Sequence, residues 1–382
     1  MKVTRWKIVS AAVLVESIGG LGYIFSVYSN TLKTEFKLSQ SELDLLGTLS
    51  NIGGNFGVHI GLIADAVGPA PVVLLGGAIG VAGWLPMYFA LSPSIGWRCP
   101  YSLLCIMSVL QGHQALTTDV AVVPTVARAF PEHRGLALGL VKSFVGLSGS
   151  IVTQVYLGLY RPHIVPFILF ISIVVGVCSL LCAMVMKELP EPRPETERSS
   201  AAIQRRFVVG YALTGLLAVQ LVASALATQI FSELEQPHWR VGLTATTVII
   251  MLAVLVFLFV QRDDQHWQQG EDVSASAGSG SVQEPLLKTL AAPPPSLPPL
   301  PQQQQQLREF TMLEAVATLD FWILFVAFLF SSGAGLILIN NLGQIVPAIG
   351  GQKGDEDTYV SILSVCNCIG RLACGVMVRA AR

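Results

Sequence analysis

Four ionisable residues stand inside otherwise apolar stretches: Glu16, Asp119, Lys142 and Arg371. A charge held in hydrocarbon is costly, so each needs a partner or a task. At a helical rise of ~1.5 Å per residue, all four lie roughly 10–12 Å in from one and the same side of the bilayer. Shared depth on different segments is what ion pairing requires, and an unpaired buried charge is penalised by several kcal/mol. Three kinds of chemistry fit. Lys142 and Arg371 can bind an anion, and Glu16 or Asp119 can relay a proton. Alternatively the four are a structural cluster, with the basic stems reaching toward the interface. A second polar set comprises His59, His113 and Gln114. Histidine titrates near neutral pH, so these are proton or solute contacts or else hydrogen-bonded core residues. Asn340, Asn341 and Gln344 form a third set near one end of their segment. They either line a vestibule or face water.

The elements that carry these residues follow from composition. Of 382 residues only 12% are charged, the net charge is −1 and the mean hydropathy is +0.62. A soluble domain carries ~25% charged residues. No basic excess exists to collect nucleic acid. The apolar content excludes disorder along the whole chain. Seven cysteines sit in or beside apolar runs and read as small buried packers rather than a disulfide framework. What remains is an all-α polytopic membrane protein whose first partner is the lipid bilayer.

A bilayer crossing takes ~20 mostly apolar residues. The sequence predicts ten, at 8–29, 45–64, 70–91, 101–127, 135–158, 163–186, 207–231, 241–261, 321–346 and 358–378. The segment 45–64 is the weakest, being glycine-rich and carrying Asn51, Asn55 and His59. The first segment runs past a cleavable length and reads as an anchor rather than a signal peptide. With the N-terminus placed in the cytoplasm, fifteen Lys and Arg fall on that side and six on the other, with Lys142 and Arg371 inside helices. The membrane is that of the cell surface, the vacuole or another organelle; the sequence does not choose.

Organisation follows the spans. Residues 1–186 make an N-terminal six-helix bundle and 187–206 a charged cytoplasmic linker. Residues 207–261 add two further membrane helices. Residues 262–308 are a Pro/Gln-rich, disordered cytoplasmic loop whose proline run favours extended geometry. That run is either a solvated spacer or a ligand for an SH3-like module. Residues 309–382 hold the first two helices of an incomplete C-terminal bundle. Glycines mark close helix packing: Gly53 and Gly57 in span two, Gly135, Gly139, Gly146 and Gly149 in span five, Gly370 and Gly375 in span ten.

The incomplete second bundle is inferred from an internal repeat. Spans one and nine each open on Trp, thin to glycines near the middle and end on Asn. Spans two and ten each place a small residue every three or four positions before a terminal charge. Internal repeats are common in secondary transporters. On this reading the chain stops four helices short of a full second half.

The sequence resembles the major facilitator superfamily, in its nodulin-like branch. The residues that carry the resemblance are RWKIVSAAVLVESIGGLGYIFSVYSNTLK from Arg5, FPEHRG at Phe130–Gly135, GLVKSFVGLSGS at Gly139–Ser150, LDFWILF at Leu319–Phe325 with NLGQI at Asn341–Ile345, and NCIGRLACG at Asn367–Gly375. The resemblance implies a twelve-helix core, often with added helices, here partial with about ten. It also implies a gating loop after the second helix, which would fall on Gly61, Asp65 and Gly68. The superfamily pattern G-x-x-x-D-R-x-G-R has lost both arginines here, which weakens the ion pairs that usually lock that gate.

No enzyme signature, metal-ligand set or phosphate loop stands out, so neither metal nor cofactor is expected. The expected function is a secondary active transporter that moves a small solute by alternating access. Proton coupling and an organic-anion substrate are its finer forms. The rival is a non-transporting receptor or scaffold on the same fold.

Overall fold

The computed structural model describes residues 3–97, 99–187, 197–231, 238–261, 312–351 and 355–380. The proline-rich segment and its proposed module-binding run lie outside them. Among the described residues the chain is helical throughout, and eight helices are long and apolar enough to cross a membrane.

The first span is interrupted. Helix α1 (Arg5–Glu16) starts on Thr4, whose hydroxyl accepts from the Lys7 N–H at 3.3 Å. It ends at the run Gly19-Gly20-Leu21-Gly22, where the path tightens into a 3-10 turn, Leu21–Ile24, before α2 (Phe25–Glu35) resumes. Three glycines in four residues remove most of the side-chain support for a helix there. Gly20 has a second reason to be glycine: a Cβ on it would collide with the Val145 carbonyl and the Ser148 hydroxyl.

The second span is also interrupted. Helix α3 (Gln40–Asn55) opens with a capping box: the Glu42 N–H donates to Ser39 Oγ at 3.3 Å and the Ser39 N–H returns to Glu42 Oε2 at 2.8 Å. The hydroxyl of Ser39 and then its backbone N–H hold the exposed Glu42 carboxyl below its ordinary range. The chain breaks at Phe56 and Gly57 and restarts as α4 (Val58–Val67). Gly61 and Asp65, expected in a gating loop, are therefore helical. Only Gly68 is a turn residue, with φ +80°, ahead of Pro69 in the first turn of α5 (Pro69–Leu91).

Eight apolar crossings rather than ten reflects the polar content of two helices. Span two is split between α3 and α4. Span four, α6 (Tyr101–Ala129), is one helix of 29 residues, about 43 Å long and ample to span. Its centre carries Gln111, His113, Gln114 and Asp119, which lowers its hydropathy below that of its neighbours. Two helices follow in turn: α7 (Arg134–Val155), continued by one π-helical turn at Tyr156–Tyr160, and α8 (Ile164–Val185).

The linker expected at 187–206 is helical from Glu197 onward, because α9 (Glu197–Ile230) begins ten residues before the expected seventh span. Ile203 and Phe207, one helical turn apart, are buried and pull that turn onto the bundle. Phe207 packs tilted on Trp6, with ring centroids 4.8 Å apart, and edge-to-face on Phe130 at 5.1 Å, and His133 Nε2 lies 3.0 Å from Ser200 Oγ. Helix α10 (His238–Val260) packs on α1 and α9, and Ser10 Oγ donates to the Leu255 carbonyl at 2.9 Å.

Helices α11 (Met312–Val316), α12 (Leu319–Ala348) and α13 (Asp355–Ala380) follow. Residues up to His266 and from Leu336 onward form one compact unit, and Trp267–Gly335 a separate one. The pairs read as a repeat differ in continuity. Span one is broken and α12 runs unbroken through Gly333 and Gly335; span two is broken and α13 is continuous. Of the cysteines, Cys366 and Cys374 are exposed on α13, not buried packers as expected; Cys182 and Cys368 are buried.

Candidate functional site

The C-terminal end of α1, the middle of α6 and the middle of α7 bring three of the four intramembrane charges together. Glu16 is buried, with 2% of its surface exposed. The Lys142 ammonium lies 3.9 Å from Glu16 Oε2 and donates to Asp119 Oδ1 in a shorter contact. One ammonium therefore serves two carboxylates, and the three together carry −1 when all are ionised. Glu16 Oε1 is buried without a hydrogen-bond partner, so one position on this carboxylate is open to a proton. A Cβ on Gly19 would lie 3.1 Å from Glu16 Oε2, which makes glycine the residue that fits beside this carboxylate.

Arg371 joins from α13 by another route. Its Nε donates to Asn367 Oδ1 at 2.7 Å, and Asn367 Nδ2 donates to the Tyr23 hydroxyl at 2.9 Å. A polar chain thus runs from Arg371 to the break in span one. Arg371 also lies close enough to Glu16 for its charge to be felt there. Asn367 stood four residues before Arg371 in the quoted motif, and that one-turn spacing was a readable signal. Nothing in the order of residues pointed to Tyr23.

The glycines of span five have a definite partner. A Cβ on Gly135, Gly139, Gly146 or Gly149 would strike, respectively, Gly375, Tyr211 and Gly375, Cys368, and Ser364 with Tyr23. All but Tyr211 and Tyr23 lie on α13, so α7 and α13 meet backbone to backbone. Gly370, grouped with these as a packing residue, faces open space instead. Its position on α13 turns it away from α7, toward the groove of about 520 Å³ that Arg134, Lys142 and Arg371 also line.

A second cavity, of about 170 Å³, opens where the first two spans are weakest. Its walls are the Gly19–Tyr23 break, Ser50, Asn51, Gly54 and Asn55 from α3, and Gln111, Gly112, Gln114 and Ala115 from α6. Gly53 and Gly112 allow α3 to approach α6 closely: a Cβ on either would run into a backbone carbonyl of the other helix. Gly57 abuts the Leu116 side chain, and Gly61 touches nothing. Gln111 is fully engaged, since the Tyr28 hydroxyl donates to its Oε1 at 3.3 Å and its Nε2 donates to the Gly83 carbonyl at 3.2 Å. Gln114 is buried, and neither end of its carboxamide has a partner.

His59 and His113 stack with ring centroids 4.9 Å apart and planes 6° from parallel. Their Nε2 atoms are 3.1 Å apart, and His113 Nδ1 is 2.9 Å from the Gly53 carbonyl oxygen. A carbonyl only accepts, so His113 Nδ1 carries a hydrogen and its Nε2, when neutral, accepts from His59. The pair straddles the break between α3 and α4. Asn341 and Gln344 lie away from the charge cluster. Asn341 Nδ2 donates to the Ile337 carbonyl at 2.9 Å, and Gln344 Nε2 reaches Asp44 Oδ1 at 3.5 Å. The side chain of Asn340 lies outside the described residues. Asp65 is exposed on α4. No group of three or more potential metal ligands occurs among the described residues.

The first span thus breaks beside a cluster in which the buried Glu16 meets the partly exposed Lys142 and Asp119. The Nodulin-like family model matches residues 5–260. The chain belongs to the Nodulin-like family. It is 23% identical over 398 residues to Protein NUCLEAR FUSION DEFECTIVE 4 of Arabidopsis thaliana, covering 96% of this chain and 63% of that one. It is 24% identical over 179 residues to the Probable transporter MCH1 of Candida albicans, covering 44% of this chain and 40% of the relative. It is 29% identical over 147 residues to the Oxalate:formate antiporter of Oxalobacter formigenes, covering 37% of this chain and 33% of the relative. The chain thus spans less than two thirds of the length of each of these relatives. This Nodulin-like chain is a multi-pass membrane protein, and two of these three relatives are named as a transporter and an antiporter.

Proposed function

We propose that the protein is a secondary transporter that moves a small solute by alternating access and couples that movement to protons. The observation that carries the proposal is the sharing of one ammonium, on Lys142, between Glu16 and Asp119 beside a break in the first span. With both acids ionised the trio is one negative charge in excess, a state the low-dielectric interior penalises. Uptake of one proton by Glu16 brings the trio to neutrality and leaves Lys142 to Asp119. Release of that proton restores the shared arrangement. A cluster that can take up and release one proton is what a coupled carrier needs at the joint between its moving parts.

The geometry gives less support to the anion reading than the residue types did. Lys142 is occupied by two carboxylates, and among the described residues Arg371 is held by Asn367. The proposed arrangement places the N-terminus in the cytoplasm, as the fifteen-to-six distribution of basic residues favours.

The test is counterflow in proteoliposomes holding the full chain, with labelled lactate, lactamide and glycerol, with and without a pH gradient. Exchange of at least one solute, accelerated by an inward-acid gradient, is expected. Glu16→Gln should keep gradient-free exchange and lose the acceleration. Absence of exchange for every solute would return the chain to the receptor or scaffold reading. Equal acceleration in Glu16→Gln would remove the coupling role.

A further inference from the structure

We infer that the cavity at the break of span one is a binding subsite for an uncharged, hydrogen-bonding solute of the amide or polyol class. The inference rests on the transporter reading only for its use in transport, since the site itself is defined by its walls.

The walls decide the class. Asn51, Asn55, Gln111 and Gln114 line the cavity together with backbone from the broken stretch, and no ionised side chain is among the lining residues. An ammonium or carboxylate entering such a space gives up its water without gaining a contact to an ionised side chain, which costs far more than desolvating a neutral polar group. An anion meets a further obstacle. Behind Gly19, on the far side of the cavity wall, lies Glu16 Oε2, part of a cluster with one negative charge in excess.

The same walls favour a neutral partner with both donors and acceptors. Gln114 is buried, and both its Nε2 and Oε1 lack partners. A buried carboxamide with both ends unmet carries a penalty, and a rotation of the Gln114 side chain from its packing on Gly80 into the cavity lets a solute presenting one acceptor and one donor relieve it. Asn55 uses its Nδ2 on the Asn51 carbonyl at 2.8 Å, which leaves its Oδ1 as an acceptor. Gln111 is committed elsewhere and acts as a fixed wall. The cavity holds about 170 Å³. At ~30 Å³ of liquid volume per water, that is room for a solute of roughly six heavy atoms. Discontinuous membrane helices are a recurrent setting for solute sites, because the interrupted backbone faces a cavity instead of lipid.

Lactamide and lactate have the same number of heavy atoms and differ chiefly in charge, so they separate the classes. Each is added to the purified full chain in detergent, alongside glycerol and erythritol, and the unfolding midpoint is read. At tenfold over half-saturation a bound neutral solute should raise the midpoint by about 3 °C; lactate should raise it by less than a third of that. Gly22→Leu puts a side chain into open space beside the cavity, since a Cβ there meets nothing within 4 Å. It should leave the unliganded midpoint unchanged and abolish the solute-induced rise. Should Gly22→Leu fold poorly, Asn51→Ala on α3 serves instead, with an expected tenfold loss of apparent affinity. A rise with lactate equal to that with lactamide, no rise with any of the three neutral solutes, or a rise that survives both variants would overturn the subsite. Binding of lactamide without counterflow would sink the transporter reading and leave the subsite standing. Counterflow of lactate alone would do the reverse.

Discussion

Two glycine-rich regions of this protein behave in opposite ways. In spans one and two, glycines coincide with breaks: Gly19, Gly20 and Gly22 before the 3-10 turn, and Gly57 between α3 and α4. In α7 and α13 the helices stay continuous, and Gly135, Gly139, Gly146 and Gly375 bring their backbones together. The difference lies in spacing and in what surrounds each glycine. Spacings of three, four and seven collect glycines on one face, which a neighbouring helix can fill. Three glycines within four residues strip every face at once, so no single neighbour can support the helix there. One region therefore becomes a seam and the other a cavity, from the same residue type.

The comparison can be broken most forcefully at the charge cluster where the two regions meet. Lys142→Ala leaves Glu16 buried without its counter-charge, and should cost about 3 kcal/mol or more. A drop of several degrees in the unfolding midpoint, partly recovered in Lys142→Ala combined with Glu16→Gln, is the expected reading. Next comes the seam itself. Gly146→Leu pushes a side chain into the Asn367–Cys368 backbone and should lose roughly 1–3 kcal/mol. Gly22→Leu, in the broken region, should stay within ~0.5 kcal/mol of the parent. Equal losses in the two variants would erase the distinction between seam and cavity.

A smaller effect is expected at the histidine pair. A hydrogen held between the two Nε2 atoms ties α4 to α6. His59→Ala removes that tie, and hydrogen exchange over Val58–Val67 at one fixed pH should speed up severalfold. Identical profiles for parent and variant would detach α4 from the pair. The smallest effect lies at the start of α3. The folded Glu42 carboxyl sits below its ordinary range, so its contribution is fully present above the unfolded value and fades as pH falls through the folded one. Titration of Glu42 followed by NMR, with Ser39→Ala returning it toward the ordinary carboxyl range, checks the sign.

Much of the fold was legible because lipid imposes a simple rule: a run of about twenty apolar residues must be helical to satisfy its own backbone. That rule placed α5, α7, α8 and α10 within a few residues. It gave no sign that the charged stretch is helical from Glu197 onward, where Ile203 and Phe207, one turn apart, seat the start of α9 on Trp6 and Phe130. Spans two and four carry less hydropathy than that rule asks, and their Asn51, Asn55 and Gln111 line a cavity while His59 and His113 meet each other. Depth counting did set Glu16, Asp119 and Lys142 level with one another, because rise per residue is fixed in a helix.

The sequence by itself determined that this chain is a helical membrane protein and that a few charges stand inside its apolar helices, since both follow from length, hydropathy and the placing of charged residues. Only the tertiary structure decided that Lys142 is divided between two carboxylates, that the glycines of α7 belong to α13, and that Gln114 stands without a partner. Those facts depend on which faces of different helices meet, and the rotation of one helix against another is set by contacts between residues hundreds of positions apart, which no local pattern records.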